Sequence, residues 1–117
     1  MTTGQPEERY DVLCLGIMVA DVVALPVSGL PPKGTLATVE RMELHAGGCA
    51  VNTGISLARL GLRTAVMGKV GQDGFGDYVI SVLKGHGIDV RGVVRDSHHN
   101  TSGTMVMVDR DGERTFI

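Results

Sequence analysis

The stretch from Gly47 to Gly76 limits the architecture of this chain more than any other part. It joins Gly47-Gly48-Cys49-Ala50-Val51-Asn52 to Leu57-Ala58-Arg59-Leu60-Gly61 and then to Gly68-Lys69-Val70-Gly71-Gln72-Asp73-Gly74-Phe75-Gly76. Val51, Ile55 and Ala58 fall at helical spacing, which predicts a helix over Cys49–Leu60 that stops at Gly61, with Arg59 in the last turn where a cation suits the dipole. Thr64 to Val70 then reads as a strand. With the apolar run Val12–Leu15 upstream, this makes strand, crossover helix and parallel strand, a right-handed βαβ unit. The paired glycines let the backbone approach a ligand while N–H groups of the first helical turn point at it. Asn52, in that same turn, offers a donor and an acceptor, which suits a neutral hydroxylated ligand better than a phosphate. The stretch therefore reads as the wall of a small-molecule site.

Val12–Leu15 is nearly continuous apolar sequence ending at Gly16, as in a strand covered on both faces. Asp21 follows where the chain leaves the sheet, either a ligand contact at the carboxyl end of a strand or a turn aspartate. After the turn at Leu30-Pro31-Pro32-Lys33-Gly34, residues 35–46 alternate loosely. They read as one or two strands with a wet face, forming a flap over the site or an edge of the main sheet. A second helix is predicted from Phe75 to Lys84, closed by Gly85, and a third central strand over Val90–Val94. Thr101–Val108 and Arg114–Ile117 flank Asp109-Arg110-Asp111-Gly112, the pattern of a hairpin. Ending on Phe116-Ile117, an apolar strand with no polar tail, the chain looks cut.

The balance of 11 basic to 13 acidic residues has no basic block that would follow a phosphate backbone, which argues against nucleic acid as a partner. No apolar run approaches a membrane span and residues 1–9 lack a signal-peptide core, so a cytoplasmic protein with a flexible N-terminus is expected. Cys14 and Cys49 are not in a C-x-x-C pair and read as free thiols. His98-His99 has no third ligand at matching spacing, so it reads as a solvated loop rather than a metal site. Neither a Walker A pattern nor a Gly-x-Gly-x-x-Gly after the first strand is present.

The order Gly-Gly-x-x-x-Asn, helix, Leu-Gly, strand, Val-Gly-x-Asp-x-Phe-Gly resembles the first signature of the ribokinase-like (PfkB) carbohydrate kinases, in register from Asp11 to the last residue. The resemblance implies an α/β ribokinase-like fold: a doubly wound, mostly parallel sheet with a small β lid, here truncated. Residues 10–117 would be the N-terminal part of that domain, with lid strands at about 35–46 and 101–117. It implies the substrate-binding half of an ATP-dependent sugar kinase, which moves the γ-phosphate of ATP to a hydroxyl of a sugar or sugar-like alcohol. The other class left open is a non-catalytic sugar-binding module or inactive fragment.

By the same resemblance, Asp21 binds substrate hydroxyls, Gly47 and Gly48 pack backbone against the sugar, Asn52 binds a further hydroxyl, and Thr104 or Phe116 touches substrate. The catalytic base lies beyond Ile117, as do most contacts to ATP and Mg, so no catalytic, metal or assigned cofactor residue falls in this chain and the 117 residues alone are inactive. Gly74-Phe75-Gly76-Asp77 looks like the second signature of the family but stands in the place of the first; Asp77 is better suited to the start of the second helix than to proton abstraction. Val19 stands where many sugar kinases of the family have a polar residue two before the aspartate, and Cys49 where ribokinases often have lysine. That counts against ribose and leaves a ketohexose, a keto-deoxy sugar acid or a nucleoside. Some family members dimerise through the lid, and a homodimer of that kind is expected here.

Overall fold

A computed structural model of the chain describes Glu7 and residues 9–117, so the flexible N-terminus expected over 1–9 lies mostly outside the described residues. The elements in order are β1 (Val12–Leu15), β2 (Val19–Leu25), β3 (Arg41–Gly47), α1 (Cys49–Arg59), β4 (Thr64–Gly71), α2 (Gly74–Gly85), β5 (Asp89–Asp96), β6 (Ser102–Val108) and β7 (Arg114–Phe116). They form two sheets. The central one is parallel in the order β1-β4-β5, and the lid has the order β3-β2-β6-β7.

Both central steps, β1 to β4 and β4 to β5, move in one direction, and right-handed crossovers moving one way lay their helices on one face. Side-chain alternation along the strands agrees. Cys14, Val66 and Val70 point into a core shared with Val51 of α1 and with Val79 and Leu83 of α2. Gly54 brings α1 close to β4, since a Cβ there would stand 3.0 Å from Val66. On the opposite face Leu13, Leu15, Met67 and Val94 are exposed.

The helices end as their glycines require. Gly61 takes φ 89°, and Leu62 N–H closes on the Leu57 carbonyl at 3.2 Å. At α2 the closing glycine is Gly87 at φ 71°, with Ile88 N–H on the Leu83 carbonyl, and not the expected Gly85, which is the last helical residue.

The lid differs from the sequence expectation in two ways. Residues 35–40 form no strand: Thr35 turns back on the Pro32 carbonyl through both its N–H (3.0 Å) and its hydroxyl (2.6 Å), and the strand begins only at Arg41. And the lid has a further strand, β2, antiparallel to β3 and parallel to β6. Asp21 therefore sits in the middle of a lid strand, not in a loop leaving the central sheet.

The chain crosses between the sheets at three places: residues 16–18, Gly48 and 97–101. The first two are packed together, with Ala50 N–H donating to the Ile17 carbonyl at 3.3 Å. Asp73, the N-cap of α2, secures the third. Its carboxylate accepts from Gly76 N–H (2.8 Å), Thr101 N–H (2.8 Å) and the Thr101 hydroxyl (2.7 Å), while the Thr101 oxygen accepts from Gly71 N–H at 2.9 Å. These bonds, the one from the Thr101 hydroxyl foremost, hold the Asp73 carboxyl below the usual carboxylate range. A depressed folded-state pKa contributes stability that is present above the unfolded value and lost as pH falls through the folded one, here below about pH 4. Asp73→Asn is expected to lower Tm at neutral pH and to flatten this part of the acid limb, which thermal unfolding between pH 2.5 and 7 on the full-length protein reads directly. An acid limb identical to wild type would show that the cluster does not anchor the lid.

Candidate substrate site

A cavity of about 610 Å³ lies under the inner face of the lid. The lid register determines what faces it. Asp21 pairs with His45 on one side and Thr104 on the other, Val23 pairs with Glu43 and Val106, and Arg114 pairs with Val108. Directly paired residues share a face. Asp21, Glu43 and His45 thus form a polar wall, which grades into the apolar Val23, Leu25 and Val106 toward the hairpin. Asn52 enters from the first turn of α1.

Of the residues expected to bind substrate, Asp21, Gly47, Asn52 and Phe116 line this one cavity. Neither the Asp21 carboxylate nor the Asn52 amide makes a side-chain hydrogen bond or ion pair among the described residues. Gly47 makes room for the first of these, since a Cβ there would stand 2.8 Å from Asp21 Oδ2.

Two expected contacts are placed elsewhere. Thr104 shares the inner face of the lid through its pairing with Asp21 but is absent from the cavity wall. Gly48 packs away from the cavity, and a Cβ on it would stand 2.3 Å from the Ile17 carbonyl oxygen. One of the first-turn N–H groups, that of Ala50, is likewise taken up by Ile17 instead of facing a ligand.

Three polar lining residues, Glu43, His45 and Arg114, were not read as site residues from the sequence. Glu43 accepts from Arg41 Nε at 2.9 Å and from Arg41 Nη2, and its other oxygen lies 2.8 Å from His45 Nε2. The Arg41 guanidinium, and after it His45, keeps the Glu43 carboxyl below the usual range. For Glu43 and His45 the signal was the alternation of Arg41, Glu43 and His45 with Met42, Leu44 and Ala46, a period of two that puts the first three on one face.

Asp77 lies in the first turn of α2 and outside the cavity, paired with Arg95 Nη2 at 2.7 Å. No cluster of three or more His, Cys, Asp or Glu able to hold a metal occurs among the described residues. No described helix is long and apolar enough to cross a membrane.

A parallel α/β core carrying a separate β lid over a cavity defines the ribokinase-like fold class. The chain belongs to the pfkB family of carbohydrate kinases, whose model matches residues 9–117. It is 36% identical over 109 residues to Fructokinase-1 of Zea mays, covering 93% of this chain and 32% of that protein. Fructokinase from Xylella fastidiosa superposes with a TM-score of 0.72 at 33% identity, over 91% of this chain and 31% of that one. The Arabidopsis thaliana ribokinase complexed with ribose and ATP superposes with a TM-score of 0.81 at 25% identity, over 90% of this chain and 34% of that one. The chain thus spans about a third of the length of the relatives it matches.

Proposed function

We propose that these residues form the substrate-binding wall of an ATP-dependent sugar kinase, which transfers the γ-phosphate of ATP to a hydroxyl of a sugar or sugar-like alcohol. The observation that carries this reading is the Asp21 carboxylate, without a partner among the described residues and set beside Gly47 and Asn52 in the cavity beneath the lid. One carboxylate can accept two hydrogen bonds from a vicinal diol, and the Asn52 amide supplies a donor and an acceptor to a third hydroxyl. Gly48 supports the wall from behind, and Phe116 closes its far side.

No cluster of three or more His, Cys, Asp or Glu able to hold a metal occurs among the described residues, and we give them no step through ATP or Mg. The base, the Mg·ATP contacts and hence the transfer itself belong to the length that relatives have and this sequence does not. Assayed alone, the 117 residues turn over no sugar. Two unpaired cysteines are ordinary in the cytoplasm, where we place the protein. The outer face of the lid, with Met42 and Met105 more than half exposed beside Leu44, is the surface we assign to a homodimer.

The test is release of ADP by the full-length protein with ATP, Mg²⁺ and a panel of sugars, together with equilibrium sedimentation of the same preparation. Sugar-dependent ADP release by a dimer is the expected result. Sugar binding with no ADP release would favour the non-catalytic binding module, and a monomer at all concentrations would remove the lid-to-lid contact.

A further inference from the structure

The cavity holds an imidazole to which the diol-binding reading gives no role. His45 stands next to Asp21 in the lid register, on the same face, and lines the same cavity. Its Nε2 lies 2.8 Å from Glu43, and a carboxylate only accepts, so Nε2 carries the proton. Glu43 is itself held by Arg41, which fixes the ring from behind. Nδ1 makes no hydrogen bond among the described residues.

In the neutral ring that nitrogen accepts a hydrogen bond, and in the charged ring it donates one. A hydroxyl, able to do both, suits either form, whereas a ligand carboxylate suits only the charged ring. An anionic group at this spot would also meet the Asp21 and Glu43 carboxylates across a few ångströms. Arg114, the arginine among the described residues that line the cavity, has its backbone well along the lid from this spot. It pairs with Val108, four residues along β6 from the Thr104 that pairs with Asp21, about 13 Å at strand spacing.

We infer that His45 is a specificity-determining residue of the sugar site, binding a hydroxyl beside the diol held by Asp21 and so selecting uncharged polyols over sugar acids. The inference rests on the substrate-site reading above, but not on catalysis. Among the substrates compatible with the sequence it favours the neutral ones over the keto-deoxy sugar acid.

The test measures binding of D-fructose, D-ribose and D-gluconate to the full-length protein by calorimetry, with ADP release in parallel, for wild type, His45→Ala and His45→Gln. Wild type is expected to bind a neutral sugar and to discriminate against gluconate. His45→Ala should weaken the neutral sugar about three- to ten-fold, in Kd and KM more than in kcat, the worth of one hydrogen bond. His45→Gln, which restores a hydrogen-bonding side chain of similar reach, should recover most of the loss and guards against a folding defect in the alanine variant. Gluconate bound as tightly as the best neutral sugar, no neutral sugar bound, or equal neutral-sugar affinity in all three proteins would each overturn the inference. Selective binding of a neutral sugar without ADP release would leave it standing while removing the kinase reading.

Discussion

Gly48→Ala is expected to destabilise the protein by roughly 3 kcal/mol or more, the sum of a backbone conformation that is essentially glycine-only and a steric clash. Gly48 has φ 91° and ψ 158°. An added Cβ would lie 2.3 Å from the Ile17 oxygen, 2.8 Å from its carbonyl carbon and 3.2 Å from Met18 Cα, all backbone atoms that cannot rotate aside. The β1–β2 link would have to move, and with it the bond from Ala50 N–H to Ile17 that starts α1. Urea unfolding of the full-length protein gives the measurement. A midpoint within error of wild type would mean that the two crossings are not packed as described.

Asp21→Ala should have the opposite profile: large in binding and small in stability. The carboxylate has no partner to lose among the described residues, so Tm should change little. A bound sugar, by contrast, would lose charge-assisted hydrogen bonds worth about 1.5–3 kcal/mol, a drop of roughly ten- to 150-fold in affinity. Calorimetric titration of the full-length protein with its best sugar distinguishes the two. Wild-type affinity in the variant would remove Asp21 from the site, and a large fall in Tm would show that its role is structural.

The βαβ core was legible in the sequence because its signals are local. Apolar spacing in Val51, Ile55 and Ala58, a glycine after each helix and continuous apolar strands place α1, α2, β1, β4 and β5 to within a residue or two. The lid was less legible. Val19–Leu25 is rich in valine, but an aspartate in its middle reads as a break unless that face looks into a polar cavity, which only the pairing with β3 and β6 supplies. The same omission concealed the meaning of β3. Its polar residues looked like a solvated face, whereas Glu43 and His45 face the cavity and it is Met42 and Leu44 that are turned outward. In a lid over a ligand the usual association of apolar with inside is inverted, and no periodicity states which side the ligand is on. Gly47 and Asn52, singled out by the family signature, line the cavity; Gly48 belongs to that signature too but packs against Ile17.

The site is built across the two sheets. Asp21 and His45 are carried by the lid, Asn52 by the helix that packs on the central sheet, and the three crossings between the sheets are each held by hydrogen bonds or tight backbone packing. On the proposed function, a sugar bridging Asp21 and Asn52 would be a latch between two bodies, its affinity including the free energy of setting their separation. By linkage the relation runs both ways. Whatever holds the lid at the right distance, a contact far out on its edge included, tightens the sugar by the same factor that the sugar tightens the lid.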